Sequence, residues 1–388
     1  MDIAEESTSD NLADPMRVLW VGTKAPWPPR DGGRLVAWLT LQALADAGHA
    51  VTLVVPEGAE RPRGLFSASV RAAVSRLPVT AARHAMPAVA ARVARLLETE
   101  RFDVVHAEQP HALAACQDAF RRRVPVVLRA HNVETDLWRA AGDGPGARSF
   151  LARGEAPRVL RWERAAVRRA AHTVALSEED ALRLRAIAGD GARVTVVPPA
   201  FPPALPAGPP LAGRPAVVVA GSAGWLPNQR GAAWFAREVW PAVRTALPEA
   251  HAHVFGGAAV ALLRATWHPA PDDAAEAFAA GSVQAIPLPF ASGVRMRILD
   301  AWARGLAVVA TSAGAAGLGA SDGRELLIAD TPAAFADAIG RLHREPALVD
   351  ALTSRGRERL RARHDPAAVA AALARVYEAA TASSADAV

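Results

Sequence analysis

The chain is poor in several residue types, and each scarcity excludes a class of protein. Its 388 residues include a single cysteine, Cys116, so no internal disulfide framework is possible and a reducing compartment is expected. Aromatic residues make up only 5% of the chain and tyrosine occurs once, so a stacking platform for nucleic-acid bases is not expected. No run of about 18 apolar residues occurs, and the sequence therefore predicts no bilayer-spanning helix.

Lysine is nearly absent, since Lys24 is the only lysine among 44 basic residues. Arginine therefore raises the isoelectric point to about 10.5 while the formal net charge is only +5. No basic patch interleaved with aromatic residues is apparent, and nucleic acid is not expected as a partner. Residues 1–15 are polar and acidic and lack the basic start and apolar core of a signal peptide. We expect a disordered leader there and a cytoplasmic protein, with the inner membrane surface as a second possible location.

Two regions of alternating short apolar strands and helices are present, and a proline-rich segment separates them. Residues 201–215 contain six prolines, which cannot donate backbone hydrogen bonds, so this segment is expected to be an extended linker. The alternation predicts an α/β fold with two Rossmann-like domains facing a cleft, at residues 16–200 and 216–365. A last helix is predicted at residues 366–380.

Residues 292–318 form the most informative segment, because a helical pattern opens at Gly293 and a short buried strand follows it. Arg295 falls in the first helical turn, where the helix dipole favours negative charge. A bound anion would explain this placement, since free backbone N–H groups and two arginines, Arg295 and Arg297, form a phosphate site. Asp300, about two turns further in, is placed to accept hydrogen bonds from hydroxyl groups of the same ligand.

The same spacing also fits a simpler interpretation. Arg297, Asp300 and Arg304 are i,i+3 and i,i+4 neighbours, and they would then form a solvated ladder of ion pairs. From the pattern alone, the two interpretations are equally good.

Loops that follow predicted strands in the first region carry further candidates. Gly32 and Gly33 begin a helix after the first strand, where they allow close approach of a phosphate or a sugar, although a plain turn into a helix fits as well. The loop lacks the GxGxxG pattern, so a nicotinamide cofactor is not expected. His106 and His131 lie at or beyond the ends of two strands. A lone histidine is usually structural, but two at one edge of a parallel sheet favour a functional role.

A long arginine-dense helix is predicted at residues 147–171. Its basic residues fit either a surface that touches anionic lipid or a solvated helix face, and the solvated face is the commoner case. The arginines concerned are Arg158, Arg161, Arg164, Arg168 and Arg169.

Three motifs together carry a resemblance to a known family. The runs Gly-x-Arg-x-Arg-Ile-Leu-Asp-Ala (293–301), Gly-Leu-Ala-Val-Val-Ala-Thr (305–311) and Gly-Ala-Ala-Gly-Leu (314–318) resemble the donor-site segment of GT-B, family 4 type retaining glycosyltransferases. The His-Asn-Val-Glu run at 131–134 is similar to the branch that builds bacterial surface polysaccharides. The resemblance spans residues 17–380 and implies the GT-B fold, with the last helix packing back onto the first domain.

The resemblance also implies roles for individual residues. The acidic residue Asp300 would bind the ribose of a nucleotide, Arg295 and Arg297 would bind its diphosphate, and His131 would lie over the donor sugar. We expect His131, Arg295 and Arg297 to be the catalytic residues. The expected donor-binding residues are Gly32, Gly33, Gly221, Ser222, Asn228, Gly293, Asp300 and Gly314.

The chain departs from the family pattern at three positions. The family usually has glutamate where Asp300 stands, and it often has a second glutamate eight positions earlier, where this chain has Ser292. An arginine is usual after the first glycine of the loop GSAGWLPNQRG, and Ser222 stands there. How the sugar ring is held is therefore left open, and the contact at Ser222 is expected to be lost or to become a hydroxyl contact.

The resemblance implies a retaining hexosyltransferase, expected to act in glycan or glycoconjugate biosynthesis. The donor would be a nucleoside diphosphate sugar, with UDP and GDP both open, and the acceptor a glycan, a lipid-linked compound or a small molecule. No further cofactor is expected, and because no Asp-x-Asp motif occurs we expect no catalytic metal. Two alternatives are a nucleotide-sugar 2-epimerase on the same fold and a degenerate transferase that only binds a nucleotide or a partner. The acceptor would be bound by the first domain and the donor by the second.

Overall fold

The structure is a computed structural model. It describes residues 15–58, 60, 62, 64–75, 77–222, 224–256, 264–271 and 273–385. The expected leader, residues 1–15, lies outside the described residues except for its last position.

The first half of the chain forms a six-stranded parallel sheet with helices on both faces. Its strand order is β2-β1-β3-β4-β5-β6. In chain order the elements are β1 (Arg17–Val21), α1 (Gly32–Asp46), β2 (Ala50–Val54), α2 (Leu65–Ser75), α3 (Val79–Arg83), α4 (Pro87–Thr99), β3 (Val104–Glu108), α5 (Gln117–Arg121), β4 (Val126–Ala130), α6 (Glu134–Gly142), α7 (Ala147–Arg169), β5 (His172–Ala175), α8 (Glu178–Ala188) and β6 (Val194–Val196). A 3₁₀ helix, Pro110–Ala115, follows β3.

The second half repeats this plan with another six-stranded parallel sheet. The strand order is β12-β11-β10-β7-β8-β9. Its elements are β7 (Ala216–Ala220), α9 (Leu226–Trp234), α10 (Trp240–Ala246), β8 (His251–Phe255), β9 (Ala265–His268), β10 (Val283–Ile286), α11 (Met296–Ala303), β11 (Val308–Ala310), α12 (Ser312–Ala315), β12 (Leu327–Ile328), α13 (Pro332–Arg344) and α14 (Pro346–His364), followed by α15 (Pro366–Ala385). A π-helical turn, Phe235–Val239, joins α9 to α10, and a 3₁₀ helix, Ala274–Ala277, precedes β10.

The predicted α/β fold with two Rossmann-like units is confirmed. Both sheets are parallel because each strand is followed by a crossover that covers a face, and the buried strands are accordingly rich in valine and alanine. Among the elements that the sequence prediction did not include are the helices α6, α8 and α14 and the strands β9 and β12. The two strands are short and lie at the edges of their sheet, where the apolar signal is weak.

The start of α11 differs from its predicted position at Gly293. The backbone of Gly293 has a φ of 75°, and Arg295 is still extended at the position that caps the helix. The helix begins at Met296, so Arg295 precedes the first turn instead of lying within it.

The last helix, α15, leaves the second half and packs on the first sheet. Val369, Leu373, Val376 and Tyr377 share a buried apolar cluster with Trp20 of β1. The proline-rich segment, in turn, lies along the second half. The N–H of Leu205 donates to the carbonyl of Ala303, and residue 208 forms a β-bridge with residue 279.

Candidate active site

The carboxyl ends of the two sheets meet where the loop before α11 touches the loop after β4. In open parallel sheets this edge is where ligands bind. A Cβ atom built on Gly293 would lie 2.0 Å from the carbonyl oxygen of His131. Glycine is therefore required here twice, by its positive φ and by the close approach of the other half.

A buried carboxylate joins the two halves beside this contact. Asp180, near the start of α8, accepts hydrogen bonds from the hydroxyl of Ser292 at 2.9 Å and from the N–H of Gly293 at 3.3 Å. The Ser292 hydroxyl in turn accepts from the N–H of Val133 at 2.7 Å, and Ser177 donates to the other oxygen of Asp180 at 2.7 Å. We call these four residues, Ser177, Asp180, Ser292 and Val133, the interdomain clasp. Ser292, which stands where the family often has glutamate, is thus engaged in binding the first half.

Two arginines, Arg295 and Arg297, flank Met296, the first residue of α11. Arg295 is only 9% exposed, and it donates to the carbonyl of Ser292 and stacks over Trp225 with 5.3 Å from its Cζ atom to the ring centroid. Among the residues that the structure describes, Nη1 of Arg295 and Nη2 of Arg297 are buried without a hydrogen-bond partner. Burial lowers the pKa of each guanidinium to about 10, opposed by Asp180 for Arg295 and by Asp300 for Arg297. Both remain charged at neutral pH, and a buried charge without a partner is costly unless an anion binds it.

Asp300 is buried one turn further along α11, so the solvated ladder of ion pairs does not describe it. Its Oδ1 atom accepts from Nε of Arg304 at 2.6 Å, and both side chains are 7% exposed. Burial raises the pKa of Asp300, against the lowering effect of Arg304 and then Arg297. The carboxylate therefore has one oxygen engaged by a neighbouring arginine and lies in the same buried region as Arg297.

His131 is held through both ring nitrogens in the first half. Its Nε2 lies 2.6 Å from Oε1 of Glu108, at the end of β3, and its Nδ1 lies 3.1 Å from the amide nitrogen of Gln109. Gln109 has a φ of 72° and a ψ of 153°, a backbone conformation that residues other than glycine rarely adopt. Such strain costs on the order of 1–3 kcal/mol and persists where surrounding contacts enforce it, which is common at functional sites.

Gly32 and Gly33 form the first turn of α1 and face this histidine. A Cβ atom on Gly33 would lie 3.2 Å from the Gln109 amide and 3.5 Å from Nδ1 of His131, and one on Gly32 would lie 3.7 Å from Met296. The glycine pair therefore borders both His131 and the start of α11.

The remaining predicted residues lie in the second half, in the loop after β7 and in the helices α9 and α12, where they fix the local backbone packing. A Cβ atom on Gly221 would lie 2.6 Å from the amide of Asn228, which donates to the carbonyl of Ser222. The Ser222 hydroxyl accepts from the N–H of Gly224. Gly314, in α12, allows close packing on β10, because its Cβ would lie 2.7 Å from a backbone oxygen there. The loop that contains Ser222 approaches Arg295 through Trp225, whose ring lies under the guanidinium.

Four of the five α7 arginines named in the sequence analysis have partners within the protein. Arg164 and Arg168 donate to the last carbonyls of α8, and Arg158 donates to the carbonyl of Ala72. Arg169 donates to a glutamine side chain and lies over the ring of Phe120 at 3.9 Å. These arginines therefore join helices of the first half.

Four residues near the site were not predicted from the sequence: Glu108, Gln109, Asp180 and Tyr377. Glu108 is the last residue of the buried strand β3 and Gln109 follows it, so their position at the carboxyl end of a strand was a usable signal. Ser177 and Asp180 have the spacing of a helix capping box, but nothing in that spacing indicates the contact with Ser292. Tyr377 occurs in an alanine-rich helix, and its buried partner is distant in sequence.

Two further properties bear on the chemistry. Within the part of the chain that the structure describes, no three His, Cys, Asp or Glu side chains group in a way that would hold a metal ion. No helix in the described ranges has both the length and the apolar character needed to cross a bilayer.

Comparison with known proteins assigns the chain to a family. The profile described as "Glycosyl transferase 4-like domain" matches residues 31–200, and the profile described as "Glycosyl transferases group 1" matches residues 214–345. No curated protein sequence matches the chain.

Solved structures of similar fold cover nearly the whole chain. HepE from Anabaena, solved with UDP and glucose, is 14% identical with a TM-score of 0.64, and the match covers 93% of this chain and 98% of that one. Sucrose-phosphate synthase from Thermosynechococcus elongatus is 16% identical with a TM-score of 0.68 and coverage of 95% and 100%. A glycosyltransferase from Rickettsia africae is 10% identical, with a TM-score of 0.63 and coverage of 95% and 99%. The two matching profiles and the shared two-domain architecture show that this chain belongs to the GT-B glycosyltransferases.

Proposed function

We propose that the protein transfers a sugar from a nucleoside diphosphate sugar to an acceptor hydroxyl with retention of configuration, as a family 4 type enzyme. The observation that carries this proposal is that Arg295 and Arg297 each bury one guanidinium nitrogen without a hydrogen-bond partner among the described residues. A diphosphate is the ligand whose charge and oxygens fit two adjacent arginines and the free N–H groups at a helix start. The diphosphate compounds that glycosyltransferases bind as donors are sugar nucleotides. HepE was solved with one of them, UDP-glucose.

The proposed mechanism is electrostatic. When the bond between the anomeric carbon and the diphosphate oxygen breaks, negative charge develops on the diphosphate. Arg295, Arg297 and the first N–H groups of α11 would stabilise that charge from fixed positions, which is the largest contribution in many enzymes. The same arginines would do the work of a divalent cation, and we therefore propose that the reaction needs no metal.

Retention is supported by the surroundings of His131. An inverting displacement needs a general base beside the acceptor hydroxyl. Both ring nitrogens of His131 already have partners, Glu108 and Gln109, so this histidine is not poised to take a proton. We propose instead that it orients the donor sugar, while the departing diphosphate accepts the proton that the acceptor hydroxyl loses.

The other proposed roles follow from position. Asp300 would bind the ribose through Oδ2, because Oδ1 pairs with Arg304. The first domain would bind the acceptor and the second the donor, with Gly221, Ser222, Asn228, Gly293 and Gly314 shaping the donor side and Gly32 and Gly33 the sugar side. Location in the cytoplasm, with contact to the inner membrane surface when the acceptor is lipid-linked, remains part of this proposal, as does a place in glycan or glycoconjugate synthesis.

A thermal-shift screen against UDP, GDP and their hexose conjugates tests the donor class. A ligand present at 100 times its Kd adds about 2.7 kcal/mol of stability. The ligands that bind are then incubated with acceptor mixtures, with and without a metal chelator, and released nucleoside diphosphate is measured. Binding without release under any condition would favour a degenerate binding protein. Interconversion of two sugar nucleotides without an acceptor would identify the epimerase alternative.

A further inference from the structure

A chain of buried polar side chains runs from the last helix to His131. The hydroxyl of Tyr377, in α15, lies 2.8 Å from Nδ1 of His106, and Nε2 of His106 lies 2.9 Å from Oε2 of Glu108. The second oxygen of Glu108 reaches His131 at 2.6 Å. Tyr377 and His106 are fully buried, and Glu108 and His131 are 5% and 6% exposed. We call these four residues the buried relay.

The protonation pattern of the buried relay follows from its chemistry. Burial by itself raises the pKa of Glu108, but the charge of Arg129, together with the hydrogen bonds from the two histidines, outweighs it and holds that pKa well below its usual range. An ionised carboxylate only accepts hydrogen bonds, so both histidines must donate to it through Nε2. His106 then accepts at Nδ1 from the Tyr377 hydroxyl, and His131 accepts at Nδ1 from the Gln109 amide. Burial lowers the pKa of His106 and raises that of Tyr377, which fits a neutral imidazole and a neutral phenol.

Every member of the buried relay is therefore fixed by its neighbour. The ring of His106 is further held between Trp20, on which it stacks at 3.7 Å, and the edge of Tyr377. This rigid support matters at His131, because a group that orients a substrate must be held to within a fraction of an ångström. The strained backbone of Gln109 is explained in the same way, since it places an amide on the other ring nitrogen.

We infer that Glu108 is a positioning residue for His131 and that the C-terminal helix completes the active site through Tyr377 and His106. The site then depends on a residue, Tyr377, that lies more than 240 positions from His131 in the sequence. The consequence for activity rests on the proposed function, whereas the consequence for the ring of His131 does not.

The mildest test is Tyr377→Phe, which removes one oxygen and keeps the ring that packs in the core. Thr40→Val in α1 is the matched control, because it removes an equally buried hydroxyl whose bond stays within its own helix. Nitrogen NMR of histidine-labelled protein reports which ring nitrogen carries the proton. We expect Tyr377→Phe to shift the ring-nitrogen signals of both His106 and His131, and Thr40→Val to leave them in place.

Turnover provides the second readout. Loss of one neutral hydrogen bond should lower kcat about two- to tenfold in Tyr377→Phe. The KM for the donor should change little, because the proposed contacts to its nucleoside diphosphate lie in the second half. Glu108→Gln should lower kcat by about 10- to 100-fold. One histidine should also move its proton to Nδ1, because one of the two oxygens becomes an NH₂ group that donates instead of accepting.

The outcomes separate the inference from the proposed function. If no donor and acceptor pair gives turnover but the His131 signals shift in Tyr377→Phe, the proposed function fails and the buried relay stands. If Tyr377→Phe leaves the His131 signals and kcat unchanged, the inference is overturned even when transfer is observed. If Glu108→Gln does not fold, the Tyr377→Phe result decides alone.

Discussion

At the scale of single residues, the candidate site is distinguished by charge that the protein buries without neutralising it completely. Arg295 and Arg297 each keep a buried nitrogen without a partner among the described residues, while Asp300 and Arg304 form a close pair. A buried guanidinium nitrogen without a partner adds little to the stability of the fold, but it can contribute strongly to ligand binding. Such a loss of stability in favour of function is common at active sites. The two arginines should therefore behave differently from an ordinary buried ion pair when they are replaced.

Replacing both Arg295 and Arg297 by alanine tests the diphosphate site. Nucleoside diphosphate binding should weaken by about 3 kcal/mol or more, since a hydrogen bond to a charged group contributes about 1.5–3 kcal/mol. The melting temperature should change little, because the replacement removes buried charge that the fold does not fully pair. Calorimetric titration measures the first quantity, and Arg341→Ala, on the exposed face of α13, serves as the control. Unchanged affinity in a folded double variant would refute the assignment.

Asp300→Asn tests the ribose contact. The substitution keeps the size of the side chain but removes its charge. It should therefore weaken the binding of ribonucleotides more than the binding of their 2′,3′-dideoxy analogues. It also leaves Arg304 without a counter-charge in a buried place, and the melting temperature should fall. The ratio of the two affinities is therefore the quantity to measure, by titration on the folded fraction. An equal loss for both ligands would make Asp300 a structural partner of Arg304 only.

At the scale of elements, the start of α6 holds a pair of carboxylates that should make stability depend on pH. Glu163, in α7, accepts from the N–H groups of Glu134 and Thr135 at 2.7 and 3.0 Å, and so caps α6. Burial, and then the charge of Glu163, raise the pKa of Glu134 to about 7, against a hydrogen bond from Asn132. Glu134 binds its proton more tightly in the folded protein than in the unfolded chain. Its contribution to the free energy of unfolding therefore falls as the pH rises from about 4.5 to about 7.

The Glu134→Gln variant isolates that effect. It cannot ionise, so its stability relative to the natural chain should improve as the pH rises from 5 to 8, by on the order of 1–3 kcal/mol. Denaturant unfolding of both proteins at the two pH values measures the difference, which cancels contributions from other groups. A stability difference that does not change between pH 5 and pH 8 would contradict the raised pKa.

At the scale of the whole molecule, the interdomain clasp joins the two halves through hydrogen bonds. Asp180 accepts from Ser292 and from Gly293 across the cleft, while Arg230 of α9 donates to carbonyls at the end of α6. The loop before α11 is thus attached directly to the first half. An opening of the cleft must break these bonds, and the position of Arg295, which follows the same loop, is coupled to the closed arrangement.

Replacing Asp180 by alanine should loosen this arrangement. The Ser292 hydroxyl and the Gly293 N–H would lose their acceptor, and the radius of gyration from small-angle scattering should increase. Nucleoside diphosphate affinity should fall about tenfold, as expected for loss of one or two hydrogen bonds to a charged group. Asp136→Ala is the control, since its ion pair with Arg183 is exposed and lies within the first half. If scattering and affinity both stay at their natural values, the clasp does not control closure.

The sequence alone was sufficient for the architecture, and it singled out the arginine pair as a candidate site. Strand and helix periods are local properties, so the two βα regions, the proline-rich segment between them and the glycine at 293 could be read without knowing any contact. Arg295 and Arg297 could be identified because their oddity, positive charge at a helix start, is also local.

Only the tertiary structure decided which polar residues meet. Ser292 and Asp180 are 112 positions apart and His106 and Tyr377 are 271 apart, and no periodicity relates residues at such separations. The structure also showed that the linker packs on the second half, that α11 begins at Met296, and that the Asp300–Arg304 pair is buried. The physical reason is that burial and hydrogen bonding depend on the other chain segments packed against a residue, whereas the sequence pattern reports only its neighbours along the chain.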